Sequence, residues 1–253
     1  MKLKTTVIII FASLLFSAYS TVDNDNIRFG APRGGGVIIV KNGFVISYDK
    51  LLKSPLWSSY HLKKENISAA PNKPGAFLAD NSLKAADRLS RGDYPSYYEK
   101  CPMAPVRDMA YDKKACSDAF KLSNVCLMSP GLKNGKWKEL EGKVRDFVEA
   151  RGGAWIVTGP VFDHTAKKQK RAGKAGIAVA KGFFKIILYQ TKDYAFRTAG
   201  FYMDNTACPE PLSSYMTSVA DIEAKSGLVF FPSFPPDVQV IMKKSAADPF
   251  FGK

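Results

Sequence analysis

The chain has 253 residues, which suits one domain of ordinary size, and 46% of them are hydrophobic, which is typical of a globular protein. Beyond the N-terminal segment no apolar run is long enough to cross a bilayer, which excludes a protein with several membrane spans. Lysine and arginine outnumber aspartate and glutamate by 37 to 23, giving a formal charge of +14. This excess favours an acidic partner: nucleic acid, an anionic membrane surface or a sulfated polysaccharide, among which charge alone does not choose.

The first 20 residues have the pattern of a secretory signal peptide. Lys2 and Lys4 precede an apolar run at residues 7–16, and small residues at Ala18 and Ser20 flank an expected cleavage site. An uncleaved membrane anchor is the alternative, although the run is short for a span. We therefore predict a signal peptide at 1–20, one domain at 21–253, secretion (periplasmic in a bacterium), and no stable membrane insertion after cleavage. The oligomeric state is not predictable.

Short, largely apolar runs predict the strands in chain order. Asn42-Gly43 supplies the turn of a hairpin, and residues 78–98 are expected to form an irregular surface excursion with a short helical piece. We predict that the strand at 154–158 ends at Gly159-Pro160. The predicted strands are 37–40, 44–47, 57–62, 154–158, 183–189, 200–203 and 228–231.

Two segments have helical spacing. Residues 134–150 repeat apolar side chains every three or four positions and are followed by Gly152 and Gly153, while 217–226 runs from Ser218 as N-cap to Gly227 as C-cap. Helices and strands do not alternate regularly, so an α+β fold is expected.

The densest basic run and the cysteines each have two interpretations. The run either follows a phosphate backbone or forms an ordinary solvated loop. The four cysteines allow two disulfides with three connectivities, or remain free buried thiols. The basic run contains Lys167, Lys168, Lys170, Arg171 and Lys174; the cysteines are Cys101, Cys116, Cys126 and Cys208.

From Tyr98 onward, several blocks resemble the DNA/RNA non-specific endonuclease family in the same order. The block YEKCPMAPVRDM (98–109) resembles the family's Y-D-R-G-H-x-A-P-x-x-D-M. The block FKLSNVCLMSPGLKNGKWKELEGKVRDF (120–147) resembles its S-N-x-x-P and L-N-x-G-x-W-x-x-L-E segment. WIVTGPVF (155–162) and later blocks also have counterparts. The resemblance implies a ββα-metal (His-Me finger) nuclease fold, with a central antiparallel sheet flanked by helices.

The family cuts phosphodiester bonds with one divalent cation. The resemblance implies a histidine as general base, an asparagine that holds hydrated Mg²⁺, and a helix glutamate and arginine that support the phosphate and the metal's water shell. In this chain the histidine position is Pro102, which has no titratable group, and the asparagine position is Lys133, a cation that repels Mg²⁺. Glu141 and Arg145 match the helix glutamate and arginine.

The remaining site positions are also carried over from the resemblance. We expect Lys100, Asn124, Lys133 and Arg145 to contact nucleic acid, although Glu141 and Arg145 could instead form an ordinary ion pair on the helix surface. Asn134 is a weak substitute metal ligand. His61 and His164 are poor replacements for the general base, and Lys73 and Gly75 fall near the position of a substrate-side arginine.

The cysteine positions on the same scaffold suggest a pairing. In the family, the strands carrying the D-R-G-H and S-N-x-x-P segments form the two β arms of the ββα unit. Counted along these arms, Cys101 comes opposite Cys126, so we expect these two to form a cross-strand disulfide. Cys116 and Cys208 would then be the remaining pair.

Three functional interpretations follow. The first is a nuclease-like protein that binds nucleic acid or another polyanion, needs no cofactor and has lost or strongly reduced cleavage. The second is an active nuclease with a rearranged site, in which Glu99 or Asp108 is the base and Asn134 or Glu141 binds Mg²⁺. The third is a secreted interaction module that uses the fold as a platform.

Overall fold

The computed structural model describes residues 24–67, 75–163 and 169–244. The expected signal peptide, Lys73, His164 and the first two lysines of the basic run lie outside these residues. Among the described residues, no helix combines the length and apolarity needed to cross a membrane.

A seven-stranded antiparallel sheet forms the centre of the fold, with the strand order β1-β2-β3-β6-β9-β10-β11. Two short two-stranded ladders, β4-β5 and β7-β8, lie outside it. The strands are β1 Val37–Lys41, β2 Phe44–Asp49, β3 Ser54–Lys63, β4 Glu99–Pro102, β5 Val125–Met128, β6 Gly153–Val161, β7 Arg171–Ala172, β8 Ile177–Ala178, β9 Gly182–Gln190, β10 Phe196–Asp204 and β11 Met216–Thr217.

The helices cover both faces of this sheet. Apart from short 3-10 turns, they are α1 Lys64–Ile67, α2 Lys113–Ala119, α3 Pro130–Leu132, α4 Lys138–Arg151, α5 Val219–Ser226 and α6 Pro236–Lys244, with a π-helical turn at Lys133–Trp137 between α3 and α4. Phe183 and Ile187 of β9 pack into a core that includes α4, whereas Phe184 and Ile186 pack on the opposite side with α5. Because both faces are covered, β9 is a nearly continuous buried run instead of an alternating one.

Several predicted elements are confirmed. The β1-β2 hairpin turns at Asn42-Gly43, where Gly43 adopts a φ of +89°. Helix α5 begins after Ser218, whose side chain caps it, and ends at Gly227 in the left-handed conformation. The excursion at 78–98 contains the expected short helical turns, Ala85–Asp87 and Arg91–Asp93.

Three boundaries or elements were predicted wrongly. Strand β6 continues through Pro160, where it still pairs with β9. Proline is tolerated there because the pairing of β6 with β3 ends at Thr158, so the missing N–H of Pro160 removes no hydrogen bond to β3. The strand predicted at 228–231 is only a single bridge between Arg33 and Val229, since Phe231 adopts a positive φ of 53° that ends the extended backbone. Helix α6 was not predicted.

The long predicted helix is divided in two. Gly135 has non-helical angles (φ −100°, ψ −115°) inside the π-helical turn, so the regular helix α4 begins at Lys138. Strands β4 and β5 pair with each other, and β5 leads through this turn into α4. The two strands and the helix form a ββα unit.

Candidate functional site

A cleft of about 780 Å³ opens between the β4-β5 ladder and the start of α4. Almost every predicted site residue lines it. Its lining consists of Phe77, Arg91, Ser96, Tyr98, Glu99, Lys100, Cys101, Pro102, Pro105, Val106, Arg107, Phe120, Lys133, Asn134, Trp137, Lys138, Glu141 and Arg145.

Pro102 ends strand β4 and pairs with Val125 of β5. It lines the cleft, as the resemblance requires of the general-base position. A proline ring has no exchangeable proton and no backbone N–H, so this position neither accepts a proton nor donates a hydrogen bond.

Lys133 lines the same cleft at the first residue of the π-helical turn. Its Nζ donates to Glu99 Oε2 at 3.1 Å, and its side chain is 30% exposed. The position that the resemblance assigns to a metal ligand is therefore occupied by an ammonium group paired with a strand carboxylate.

The cleft does not fit a divalent cation. An ammonium group has no lone pair to offer a metal and repels it electrostatically. Asn134 also lines the cleft, but it directly follows this cation in the chain. The donor set thus disagrees with the Mg²⁺ site that the resemblance implies.

Arg145 is fixed from behind the cleft. Its Nη1 donates to Asp108 Oδ1 at 2.9 Å, and the hydroxyl of Tyr60 donates to Asp108 Oδ2 at 2.9 Å. Asp108 is almost completely buried, so this pair is shielded from solvent. Arg145 is therefore held rigidly by Asp108, and the alternative of a simple surface ion pair with Glu141 does not describe its contact.

Glu141 lies one helical turn before Arg145 and also lines the cleft. The pKa of its carboxyl is raised to about 7, mainly by burial and also by the charge on Asp108, while Lys185, Arg145 and the nearby indole of Trp137 limit the shift. Near neutral pH this carboxyl is present in both protonation states.

Lys185 lies behind the cleft, against Trp137, and was not predicted from the sequence. It lies in the middle of β9, is 1% exposed, and places its Nζ 4.9 Å from the centroid of the Trp137 ring. Burial lowers its pKa, whereas the charges of Glu141 and Asp108 raise it. A single lysine inside the apolar run FFKIIL is the signal that could have identified it, because an unpaired lysine is rarely buried.

Asn124 is a correction to the predicted contacts. Its side chain is 0% exposed; Oδ1 accepts from the backbone N–H of Ala104 at 2.9 Å, and Nδ2 donates to the carbonyls of Ala104 and Ala119, both at 3.0 Å. With all its hydrogen bonds made inside the protein, Asn124 cannot contact nucleic acid directly. It fixes the loop after β4 instead.

The cleft carries an excess of positive charge. Lys100 lines it with its Nζ 5.3 Å from the centroid of the Tyr94 ring. Arg91 and Arg107 supply cations that the sequence analysis did not identify, whereas Gly75 packs against Phe120. Among the residues that the structure describes, six basic and two acidic side chains line the cleft.

The candidate replacement bases that the structure describes already have partners. Asp108 accepts from Arg145 and Tyr60, and Glu99 pairs with Lys133. His61 does not line the cleft: its ring stacks on Trp155 at 4.0 Å, with Nδ1 2.7 Å from an oxygen of Asp25. The expectation that His61 is structural is consistent with this position.

The described part of the basic run does not act as a unit. Lys170 is exposed, but Arg171 uses its guanidinium to donate to the carbonyls of Leu51 and Gly176. Arg171 therefore fastens a loop, which is the structural alternative for that residue.

All four cysteines are free thiols. Cys101 and Cys126 are direct partners in the β4-β5 register, as expected, but are not bonded. The suggested pairing of Cys116 with Cys208 is not formed either: Cys116 lies on α2, Cys208 follows β10, and both are free.

A ββα unit beside an antiparallel sheet is also found in a solved structure. A chain of the structure titled "Crystal structure of the EndoG/EndoGI complex: Mechanism of EndoG inhibition" superposes with a TM-score of 0.77 and 25% identity. The match covers 83% of this chain and 91% of that one. The fold is therefore that of the ββα-metal nucleases.

The family model for DNA/RNA non-specific endonucleases matches residues 22–237, and the chain belongs to this family. It is 28% identical over 228 residues to bovine mitochondrial endonuclease G, covering 81% of this chain and 76% of that protein. It is 27% identical over 246 residues to the nuclease of Serratia marcescens, covering 92% and 91%.

Proposed function

We propose that this endonuclease-family protein binds nucleic acid in the cleft and has lost, or nearly lost, metal-dependent phosphodiester cleavage. The observation that carries the proposal is the ion pair between Lys133 and Glu99 at the position of the expected metal ligand. Pro102 on the adjoining strand removes the other group that the family's chemistry needs.

The charge of the cleft supports binding. Six basic side chains against two acidic ones attract a phosphate backbone, and the formal charge of the whole chain adds to this attraction. Because Arg145 is already held by Asp108, it presents a fixed direction to a bound phosphate and loses little side-chain entropy on binding.

Lys133 has a specific role in this proposal. Its ammonium offers a permanent positive charge to a phosphate, without the Lewis acidity that would activate water. Its Nζ has three donors and makes one hydrogen bond to Glu99, so a donor remains for a phosphate oxygen. In this way binding persists where cleavage fails.

The proposal is tested by measuring binding and cleavage on the same preparation. Fluorescein-labelled DNA and RNA oligonucleotides should bind in a salt-dependent manner, while plasmid and RNA incubated with Mg²⁺ or Mn²⁺ should stay intact. Lys133→Gln should weaken binding several-fold. Lys192→Gln, an equal charge change on the β9-β10 turn, is the matched control. Binding of heparin but not of oligonucleotides would instead favour the interaction module.

A second candidate is an active nuclease with a rearranged site. Glu141 favours it, because a carboxyl in the cleft with a pKa of about 7 suits a general base near neutral pH. The two relatives named above also carry the names of nucleases. Digestion of nucleic acid that disappears in Glu141→Gln would establish this function and overturn the first proposal.

We further propose that the protein is secreted after removal of residues 1–20. The support is the sequence pattern alone. Expression of the full chain in a secreting host, followed by N-terminal sequencing of the exported protein, should give a mature chain that begins near Thr21.

A further inference from the structure

Tyr98 is the wall between two clefts. It lines the large cleft described above and also a smaller one of about 290 Å³. Of the described residues, two exposed lysines, Lys170 and Lys181, and one acidic side chain, Asp163, line the smaller cleft. The positively charged surface therefore continues past Tyr98 to Lys170 and Lys181, which are not among the site positions assigned by the family resemblance.

Tyr97 and Tyr98 together form an exposed aromatic surface next to the two clefts. Tyr97 is 66% exposed, and its ring centroid lies 5.3 Å from that of Tyr98 at an interplanar angle of 50°. Tyr98 is half-buried against the small core behind β5, which holds its ring in place. Tyr97 itself lines neither cleft, but its exposed ring lies against Tyr98, which lines both. An exposed ring beside two basic clefts is well suited to receive a flat ligand.

We infer that Tyr97 and Tyr98 form a base-stacking platform, so that the nucleic acid bound here is single-stranded and runs from the large cleft past Tyr98 into the smaller one. The inference rests on the proposed nucleic-acid binding. In a duplex both faces of each base are covered by neighbouring bases, so an aromatic side chain stacks on an unpaired base without first distorting the helix. Stacking of this kind tolerates any sequence, because every base has a π face.

Binding of three labelled probes tests the inference: a 12-nucleotide single-stranded DNA, a duplex of the same sequence, and a heparin fragment of similar charge. The wild-type chain should prefer the single strand. Tyr97→Ala should lower single-strand affinity about tenfold, as expected for the loss of one stacked base, and leave duplex and heparin affinity unchanged. Tyr97→Phe should retain wild-type affinity, because it keeps the ring.

One further variant extends the test and another is a control. Tyr98→Leu removes the ring but keeps an apolar side chain against the core, so it should also lower single-strand affinity. Its thermal unfolding shows whether the fold persists. Tyr194→Ala removes a tyrosine that is 81% exposed on the β9-β10 turn and should change nothing.

The outcomes separate the two proposals. A wild-type chain that binds no oligonucleotide refutes the proposed function and this inference with it. A chain that binds oligonucleotides, but whose folded Tyr97 and Tyr98 variants lose no affinity or lose it equally for all probes, overturns the stacking platform and leaves the proposed function standing.

Discussion

At the scale of single residues, Glu141 links the cleft to pH. Its folded-state pKa is raised from 4.5 to about 7, so the folded protein binds this proton more tightly than the unfolded chain does. The stability associated with the protonated carboxyl is fully present below about pH 4.5 and is lost as the pH rises to about 7. A shift of this size corresponds to roughly 3 kcal/mol.

Glu141→Gln should therefore become more stable relative to the wild-type protein as the pH rises from 5 to 8. Glutamine keeps the shape of the side chain but cannot ionise, so the variant avoids the cost of a buried charge. Urea unfolding at both pH values measures the difference. Glu139→Gln is the control, since its carboxylate lies at the surface beside Lys136. Parallel stability curves for Glu141→Gln and wild type would contradict the assignment.

Two other residues decide whether the chemistry can be restored. The double variant Pro102→His with Lys133→Asn returns a titratable ring and an amide oxygen to the positions that the family resemblance assigns to base and metal ligand. We expect weak Mg²⁺-dependent digestion of plasmid, because Glu141 and Arg145 are already in the cleft.

The single variants provide the control for this restoration, since each leaves one of the two positions unsuited to the family's chemistry. Both should be inactive. An inactive double variant that still folds and binds Mg²⁺ would show that other positions around the site block cleavage as well.

At the scale of elements, the β4-β5 ladder predicts a disulfide. Cys101 and Cys126 are direct cross-strand partners and both are buried. Burial raises both thiol pKa values, that of Cys126 to about 12, so oxidation should occur during folding and not afterwards in the finished structure. The bond would close a loop of about 25 residues and stabilise the fold by about 3 kcal/mol.

Peptide mapping of protein exported to an oxidising compartment should find the 101–126 bridge, with Cys116 and Cys208 unpaired. Cys126→Ser should lower the urea midpoint of exported protein and change it little when both proteins are kept reduced. Equal midpoints for wild type and variant under oxidising conditions would argue that no bridge forms.

Elements with local signals were predictable from sequence. The β1-β2 hairpin has its Asn-Gly turn, and α5 has both caps within ten residues. The split before α4 was not predicted, since the apolar residues that indicate the helix begin only at Trp137 and carry no information about the backbone at Gly135. The strand prediction at 228–231 was wrong because a short apolar run has the same sequence pattern in a buried strand and in a buried loop.

For the site, the alignment with the family's motifs predicted which residues line the same cleft, but not what each side chain contacts there. Pro102, Lys133, Glu141 and Arg145 all line one cleft, as expected. Sequence spacing says nothing about burial, so it could not show that Asn124 is enclosed. Lys185 reaches the site from a strand that is distant in the chain and belongs to no motif.

At the scale of the whole molecule, the net charge of +14 acts on any polyanion from a distance, whereas the cleft acts at contact. Salt separates the two contributions, because only phosphates neutralised at contact release their counterions in proportion. For a single strand, the logarithm of the binding constant should fall linearly with the logarithm of salt concentration, at about 0.7 per contact.

Lys133→Gln should make this slope shallower by about 0.7 if its ammonium meets a phosphate. Lys192→Gln changes the net charge equally but lies on the β9-β10 turn, so it should shift affinity slightly at low salt and leave the slope unchanged. Fluorescence anisotropy titrations at salt concentrations from about 50 to about 300 mM measure both slopes. Identical slopes for both variants would mean that the ion pair with Glu99 keeps Lys133 from the ligand, and that the cleft attracts nucleic acid through its other cations.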